Sequence, residues 1–388
     1  MTRTKVNVFM QGSELLSYLE TQKGAMIEAS KVLVEYESPS TDKALLDALA
    51  SHMADHFAQM GAAVEVIDNP KGGNNLKISF AGPSEQKPAL LLCHYDTVWS
   101  AGTLERMPFK IEGDKVYGPG VFDMKSSIVL AEYAIRAIAE LQEKLPRPVI
   151  LLLTSDEETG SINSRALIEA QAKESAYVLV LEPPITGGAL KTGRKGIGRF
   201  TLAIEGRASH AGTEPEKGLS AIEEMAHQIL AIYGLRNKEK GTTVNVGVVS
   251  GGTRTNVVAA HAHLDIDVRT WTMSEAERLT ESIKSLKSVN PGVILHPAGG
   301  FNRPPMERSE SVVALYEKAR DLGRQLGLEL GEGQTGGGSD ANFTAALGVP
   351  TLDGLGMPGA GAHADHEHID SEHFPSRAAL LALLLLNF

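Results

Sequence analysis

The chain has 388 residues, 42% hydrophobic and 22% charged, an ordinary balance for a soluble globular protein whose length asks for two domains or one with a large insertion. Its 37 basic and 48 acidic residues give a net charge of −11, which argues against nucleic acid or an anionic membrane as main partner. The single cysteine, Cys93, excludes an intramolecular disulfide and a cysteine-based zinc cluster. Met1 to Val8 lacks the apolar core of a signal peptide, and the longest apolar run, Ala378 to Leu386, is too short to span a bilayer. A cytoplasmic location is therefore expected, with that run as a buried terminal helix.

Taken in order, apolar positions at helical spacing predict a helix from Ser13 to Tyr36, broken by Ser38-Pro39-Ser40. Thr41 or Asp42 can cap a second helix that runs to about Met60. Strands are predicted at Val64 to Ile67, Leu76 to Phe80 and Ala89 to Cys93, and Cys93 reads as a core thiol. A glycine-rich approach, Tyr117-Gly118-Pro119-Gly120-Val121-Phe122-Asp123, leads into a helix from Ser126 to about Leu141. Strands at Val149 to Leu153 and Val178 to Leu181 follow. Lys191 to Gly198 then reads as a Gly/basic hinge.

Beyond the hinge, strands and helices alternate as strand Arg199 to Glu205, helix Gly218 to Tyr233, strands Thr243 to Val249 and His263 to Arg269, helix Ser274 to Lys287, and strand Val293 to His296. That order is a split βαβ unit, expected as an insertion over residues 195–304. Arg303-Pro304-Pro305 forms the return linker, and a helix from Ser309 to Leu326 re-enters the first domain. Thr335 to Ala341 is a glycine-rich turn that lacks the Gly-Lys-Ser/Thr ending of a phosphate-binding loop.

The chemistry gathers where apolar runs stop. Val149 to Leu153 ends near three consecutive acids, Asp156-Glu157-Glu158, which read alone as a solvated loop with Asp156 capping a helix. Three further acid or imidazole groups, His94, Asp123 and Glu182, also follow strand-like runs or tight turns. Open α/β sheets collect their ligands at the carboxyl ends of strands, so these groups point to one metal site. Asp96 lies two residues after His94, near enough to accept its second N–H and fix the tautomer.

Together, Cys93-His94-Tyr95-Asp96-Thr97-Val98, Gly118 to Lys125, Ser155 to Ser161, Leu181-Glu182-Pro183, Ala208-Ser209-His210-Ala211-Gly212, Thr335 to Ala341 and Gly361-Ala362-His363-Ala364-Asp365 resemble, in this order, the M20 family of dinuclear zinc aminoacylases and carboxypeptidases. The likeness covers nearly the whole chain and is strongest to the glutamate carboxypeptidase (carboxypeptidase G2-like) branch. It implies an α/β fold of the zinc-exopeptidase type, a mixed sheet flanked by helices over residues 1–194 and 305–388. The inserted ferredoxin-like α+β domain at 195–304 would make a homodimer.

The resemblance also implies roles. Asp123 bridges two Zn²⁺ (Co²⁺ or Mn²⁺ being compatible), with His94 and Glu182 completing one metal's ligands and Glu158 and His363 the other's. Glu157 is the general base, Asp96 the partner of His94, and His210 the oxyanion donor that reaches across a dimer. Asn256 and Arg269 fall at substrate-carboxylate and dimer-lid positions, and Arg303 and Thr335 where a terminal carboxylate is gripped. The expected reaction cleaves the amide bond to a C-terminal amino acid in a peptide or N-acyl amino acid. The alternatives are an N-acyl-amino-acid deacylase (aminoacylase, acetylornithine or succinyl-diaminopimelate type) and a metal-binding scaffold without turnover.

Departures from the family pattern are Met124 after the bridging acid, Ser126-Ser127 for a Gly-Gly pair, Ser220 for an Asn, and the Lys191 hinge. His366 and His368 read as solvated residues flanking Glu367, either able to replace His363 as ligand. His227, His261 and His263 read as surface or strand-face residues.

Overall fold

The apolar runs become neighbouring strands. In the computed structural model, which describes residues 3–388 with side chains from residue 12 onward, a six-stranded sheet is ordered Ala63–Ile67, Asn75–Phe80, Val149–Thr154, Ala89–His94, Tyr177–Val180 and Thr351–Leu352. The last four run parallel, and the first two add an antiparallel edge. Strands covered on both faces need apolar residues at every position rather than at alternate ones. Accordingly Ala89–His94, Val149–Thr154 and Tyr177–Val180 are buried throughout, Cys93 among them.

Helices Arg3–Glu35, Ser126–Glu140 and Phe374–Asn387 pack on one another beside this sheet. The last is buried almost all round, as its run of leucines requires. Asp42 caps Lys43–Gln59 by accepting the backbone N–H groups of Ala44 and Leu45 at 3.0 and 3.1 Å. A four-stranded sheet of Gly359–Ala360, His368–Asp370, Lys115–Tyr117 and Lys110–Glu112 completes the unit formed by residues 1–192, 308–335 and 339–388.

Residues 193–307 with 336–338 form a second compact unit. Its sheet is ordered Thr243–Gly251, His261–Thr270, Gly196–Glu205 and Ile294–Arg303, every pair antiparallel. Helices Ala221–Tyr233 and Met273–Lys284 carry N-caps from Ser220 and Thr272. The order βαββαβ with the first strand beside the third and fourth is the ferredoxin-like arrangement. Strand Gly196–Glu205 alternates buried and more open positions, so one face packs on the helices' apolar stripe.

Two predicted loops are strands instead. The Lys191 to Gly198 hinge is divided between strands Leu190–Arg194 and Gly196–Glu205, because its backbone pairs with Glu332–Thr335 and with both sheet neighbours. Gly198 is there for space: a Cβ would lie 2.5 Å from Val268 Cγ2. Strand Ile294–Arg303 likewise continues through Ala298-Gly299-Gly300, so Arg303 ends a strand rather than sitting in the linker. Among the described residues, no helix is long and apolar enough to cross a membrane. The reading of Met1 to Val8 rests on side chains outside the described residues.

Candidate metal centre

Three adjacent parallel strands deliver the key side chains. Ala89–His94 ends in His94, Val149–Thr154 runs into Glu157 and Glu158, and Tyr177–Val180 into Glu182. Asp123 comes from the turn Val121–Lys125 that opens helix Ser126–Glu140, and the Asp123-Met124 peptide bond is cis. Gly120 starts that turn at φ 74°, where a Cβ would sit 2.5 Å from Thr97 Cγ2. His363, at φ 61°, sits in the connection between Gly359–Ala360 and His368–Asp370.

These groups converge. His94 Nε2 lies 3.1 Å from Asp123 Oδ1 and 3.6 Å from Glu182 Oε1. His363 Nε2 lies 3.2 Å from Glu158 Oε2 and 3.5 Å from Asp123 Oδ2, so Asp123 stands between the two imidazoles. Donor atoms of His94, Asp123 and Glu158 fall within 4.8 Å of one another, as do those of His94, Glu157 and Glu182. Glu157 thus approaches as closely as a ligand does.

Asp96 organises the cluster from beneath. The Nδ1 of His94 faces Asp96, 3.1 Å from its carbonyl and 3.3 Å from Oδ1, which leaves Nε2 aimed at Asp123 and Glu182. The same carboxylate accepts the backbone N–H groups of Glu157 and Glu158 at 3.1 and 3.2 Å and the Ser40 hydroxyl at 2.7 Å. Asp156, first of the three acids, turns away and accepts the N–H groups of Asn163 and Ser164 ahead of helix Arg165–Glu174. Asp156 caps no helix, contrary to expectation, and the acid triplet is split between one acid that holds the Asn163-Ser164 backbone and two groups of the site.

The electrostatics call for cations. Burial raises the Glu158 carboxyl to about 7, with Asp123 adding to the rise and His363 opposing it. Hydrogen bonds with Asp123 and Glu158 hold the His363 imidazole up at about 10. Burial works against a charged His94, yet Asp123 and Asp96 keep its imidazole well above the ordinary range. Burial also works to raise Asp123, but its bonds with His363 and His94 hold it low. The carboxylates thus pull protons onto both rings, and divalent cations meet the same demand with the rings neutral. A set of imidazole nitrogens and carboxylate oxygens without thiolate fits Zn²⁺, Co²⁺ or Mn²⁺.

One residue escaped the sequence reading. Glu367 is buried rather than solvated, and its carboxylate accepts the N–H groups of Gly120, Phe122 and Asp123 at 2.9, 3.0 and 3.1 Å and the Trp99 indole at 2.7 Å. It ties the turn holding His363 to the turn holding Asp123. The available signal was an acid four residues after a candidate ligand histidine. His368 is buried too, in the strand His368–Asp370, whereas His366 is exposed.

Of the remaining predicted residues, His210, Asn256, Arg269 and Arg303 belong to the second unit and Thr335 to the first. His210 and Asn256 are exposed neighbours in the second unit, where the N–H of Ala211 donates to the Asn256 carbonyl at 3.0 Å. The Nδ1 of His210 accepts from Gly212 and Thr213, both at 3.1 Å. Arg269 pairs with Asp267 at 2.9 Å and donates to the Gly336 carbonyl at 3.3 Å. Arg303 is buried in that unit, and Thr335 is half-buried at the end of strand Glu332–Thr335 in the first.

The profile of peptidase family M20/M25/M40 matches residues 90–387. The chain belongs to that family. As an M20 protein it is a hydrolytic enzyme, and M20 metallopeptidases are metal-dependent. It is 31% identical over 383 residues to carboxypeptidase G2 of Pseudomonas sp. (strain RS-16), covering 94% of this chain and 90% of that relative. Acetylornithine deacetylase of Proteus mirabilis is 29% identical over 406 residues, 97% of each chain. The crystal structure of aminopeptidase PepT from Bacillus cereus shares the fold, with a TM-score of 0.79 at 22% identity over 94% of this chain and 98% of that one.

Proposed function

We propose that this M20 hydrolase cleaves the amide bond to a C-terminal amino acid with a free carboxylate, using two Zn²⁺ ions. The observation that carries the reading is Asp123 standing between His94 and His363, with Glu182 beside the first and Glu158 beside the second. His94, Glu182 and Asp123 would hold one ion, and Asp123, Glu158 and His363 the other. Bound there, the ions would polarise the scissile carbonyl and acidify a water molecule. Glu157 takes the proton of that water as it attacks and returns it to the leaving amine. Asp96 serves by holding the His94 ring and the Glu157-Glu158 backbone in place while the proton moves.

His210 of a second copy is the proposed oxyanion donor, a role worth roughly 3–4 kcal/mol where it applies. Asn256, Arg269, Arg303 and Thr335 are the proposed substrate-carboxylate and lid residues; a guanidinium suits a carboxylate because it donates two parallel hydrogen bonds. Likeness to carboxypeptidase G2 supports the peptidase reading. Likeness to acetylornithine deacetylase, over 97% of both chains, favours N-acyl-amino-acid deacylation as the second reading.

The deciding experiment is hydrolysis by the zinc-reconstituted enzyme of N-acyl-glutamate, N-acetylornithine and dipeptides ending in Glu, Ala or Leu. Preference for a C-terminal Glu supports a glutamate carboxypeptidase. Preference for acetyl amides over every peptide moves the protein to the deacylase reading and leaves the roles at the metal centre standing. Replacing Glu157 by Ala should keep both metals while lowering kcat by about 10²- to 10⁴-fold. Loss of metal in that variant would show that Glu157 is a ligand.

A further inference from the structure

A second concave site lies within the unit of residues 1–192, 308–335 and 339–388. It is a cavity of about 530 Å³, in the size range of small-molecule sites, and no residue of the metal centre lines it. Its lining includes the aliphatic side chains of Ile185, Leu328 and Leu330.

Cations line the cavity without carboxylate partners. Arg377 is 2% exposed, and among the described residues no carboxylate lies within ion-pair distance of it. Its guanidinium donates to the carbonyls of Gly354 at 2.7 Å, Gly356 at 3.0 Å and Gly188 at 3.4 Å. Carbonyl dipoles alone leave a buried cation short of counter-charge, and burial lowers its pKa to about 10. Lys115, by contrast, is exposed on its strand. Asp370 is its partner across the strand ladder, yet the Lys115 ammonium donates instead to His368 Nε2 at 3.0 Å. That nitrogen is free to accept because Nδ1 donates to the His366 carbonyl at 2.8 Å. Asp370 and Glu329 also line the cavity, so both signs of charge are present.

We propose that this cavity binds a free α-amino acid with an aliphatic side chain. Its carboxylate faces Lys115 and Arg377, its ammonium faces Asp370 and Glu329, and its side chain lies on Ile185, Leu328 and Leu330. Two lining segments adjoin proposed ligands in sequence: Pro184 follows Glu182 by two residues, and Ala360 and His368 bracket His363. A bound zwitterion therefore links the segments that hold two proposed ligands. The binding claim is independent of which amide the metal centre cleaves.

The test is equilibrium dialysis of the metal-loaded, full-length protein against labelled L-leucine. 4-Methylpentanoate and isoamylamine serve as competitors that each carry one of the two charges. The expected result is one site fewer per chain in Lys115→Met than in the wild type, at least tenfold weaker binding at that site in Asp370→Asn, and unchanged hydrolysis in both variants. Neither competitor should displace leucine at equal concentration. Leucine held at the metal centre contributes equally to all three proteins and cancels from the comparison. Equal site numbers and affinities in the three proteins overturn the proposal, and so does displacement by 4-methylpentanoate alone.

Discussion

Within the cluster, the carboxylates divide between those that face the imidazoles and those that hold backbone. Asp96 and Glu367 belong to the second kind: one gathers the N–H groups of Glu157 and Glu158, the other those of Gly120, Phe122 and Asp123. An amide in place of the Glu367 carboxylate presents an NH₂ to groups that are themselves donors, so the Asp123 turn loses half its anchor. Glu367→Gln should retain its circular dichroism spectrum and bind metal about 10- to 100-fold more weakly, as read by competition with a chelator. Unchanged metal affinity would show that the turn holds without the carboxylate. The His94–Asp96 pairing was legible because the two residues are two apart in sequence. Glu367 was not, because its partner Asp123 lies 244 residues away.

At the scale of elements, the Asp42 cap was legible because a cap is a local event, while Ser220, Thr272 and Ser309, which each accept a backbone N–H three residues on, emerge as caps only in the structure. Glu275, in the first turn of Met273–Lys284, goes further. It accepts Lys240 Nζ at 2.7 Å, Thr242 Oγ1 at 3.0 Å and Arg278 Nη2 at 2.8 Å, and these bonds, Arg278 first, hold its carboxyl at about 2. A folded pKa below the unfolded one adds stability that is present above about pH 4.3 and fades as pH falls toward 2. Glu275→Gln should therefore cost about 1–3 kcal/mol at pH 7 and much less near pH 2, measured by urea unfolding across pH. An equal cost at both pH values would mean that charge is not what Glu275 contributes. Strand Ile294–Arg303 extends past the predicted Val293 to His296 for the complementary reason. Ala298-Gly299-Gly300 has no strand propensity, and only pairing with Gly196–Glu205 extends it.

For the whole molecule, the second unit offers a surface for self-association. Thr243–Gly251 is an edge strand that leaves Val248 and Val249 57% and 52% exposed, and Leu230 on helix Ala221–Tyr233 is 73% exposed. An exposed apolar edge is a template for pairing with another chain, which supports the proposed homodimer. Val248→Lys should shift sedimentation from dimer to monomer at micromolar concentration while metal content stays the same. A monomeric wild type would remove the dimer and, with it, the trans role of His210.

What the sequence alone determined is what short-range physics encodes: apolar runs long enough for buried strands, the Asp42 cap that starts helix Lys43–Gln59, and donor side chains placed where those runs stop. The order of those motifs also identified the family and the mixed sheet with its ferredoxin-like insertion. Tertiary structure alone decided that Asp156 holds the Asn163-Ser164 backbone instead of capping a helix, that Glu367 anchors the Asp123 turn, and that the glycine-rich stretches at 191–198 and 298–300 are strands. The physical reason is common to all three. A carboxylate or a glycine backbone has no strong preference of its own, so its state is set by the partner that burial brings to it from a distant part of the chain.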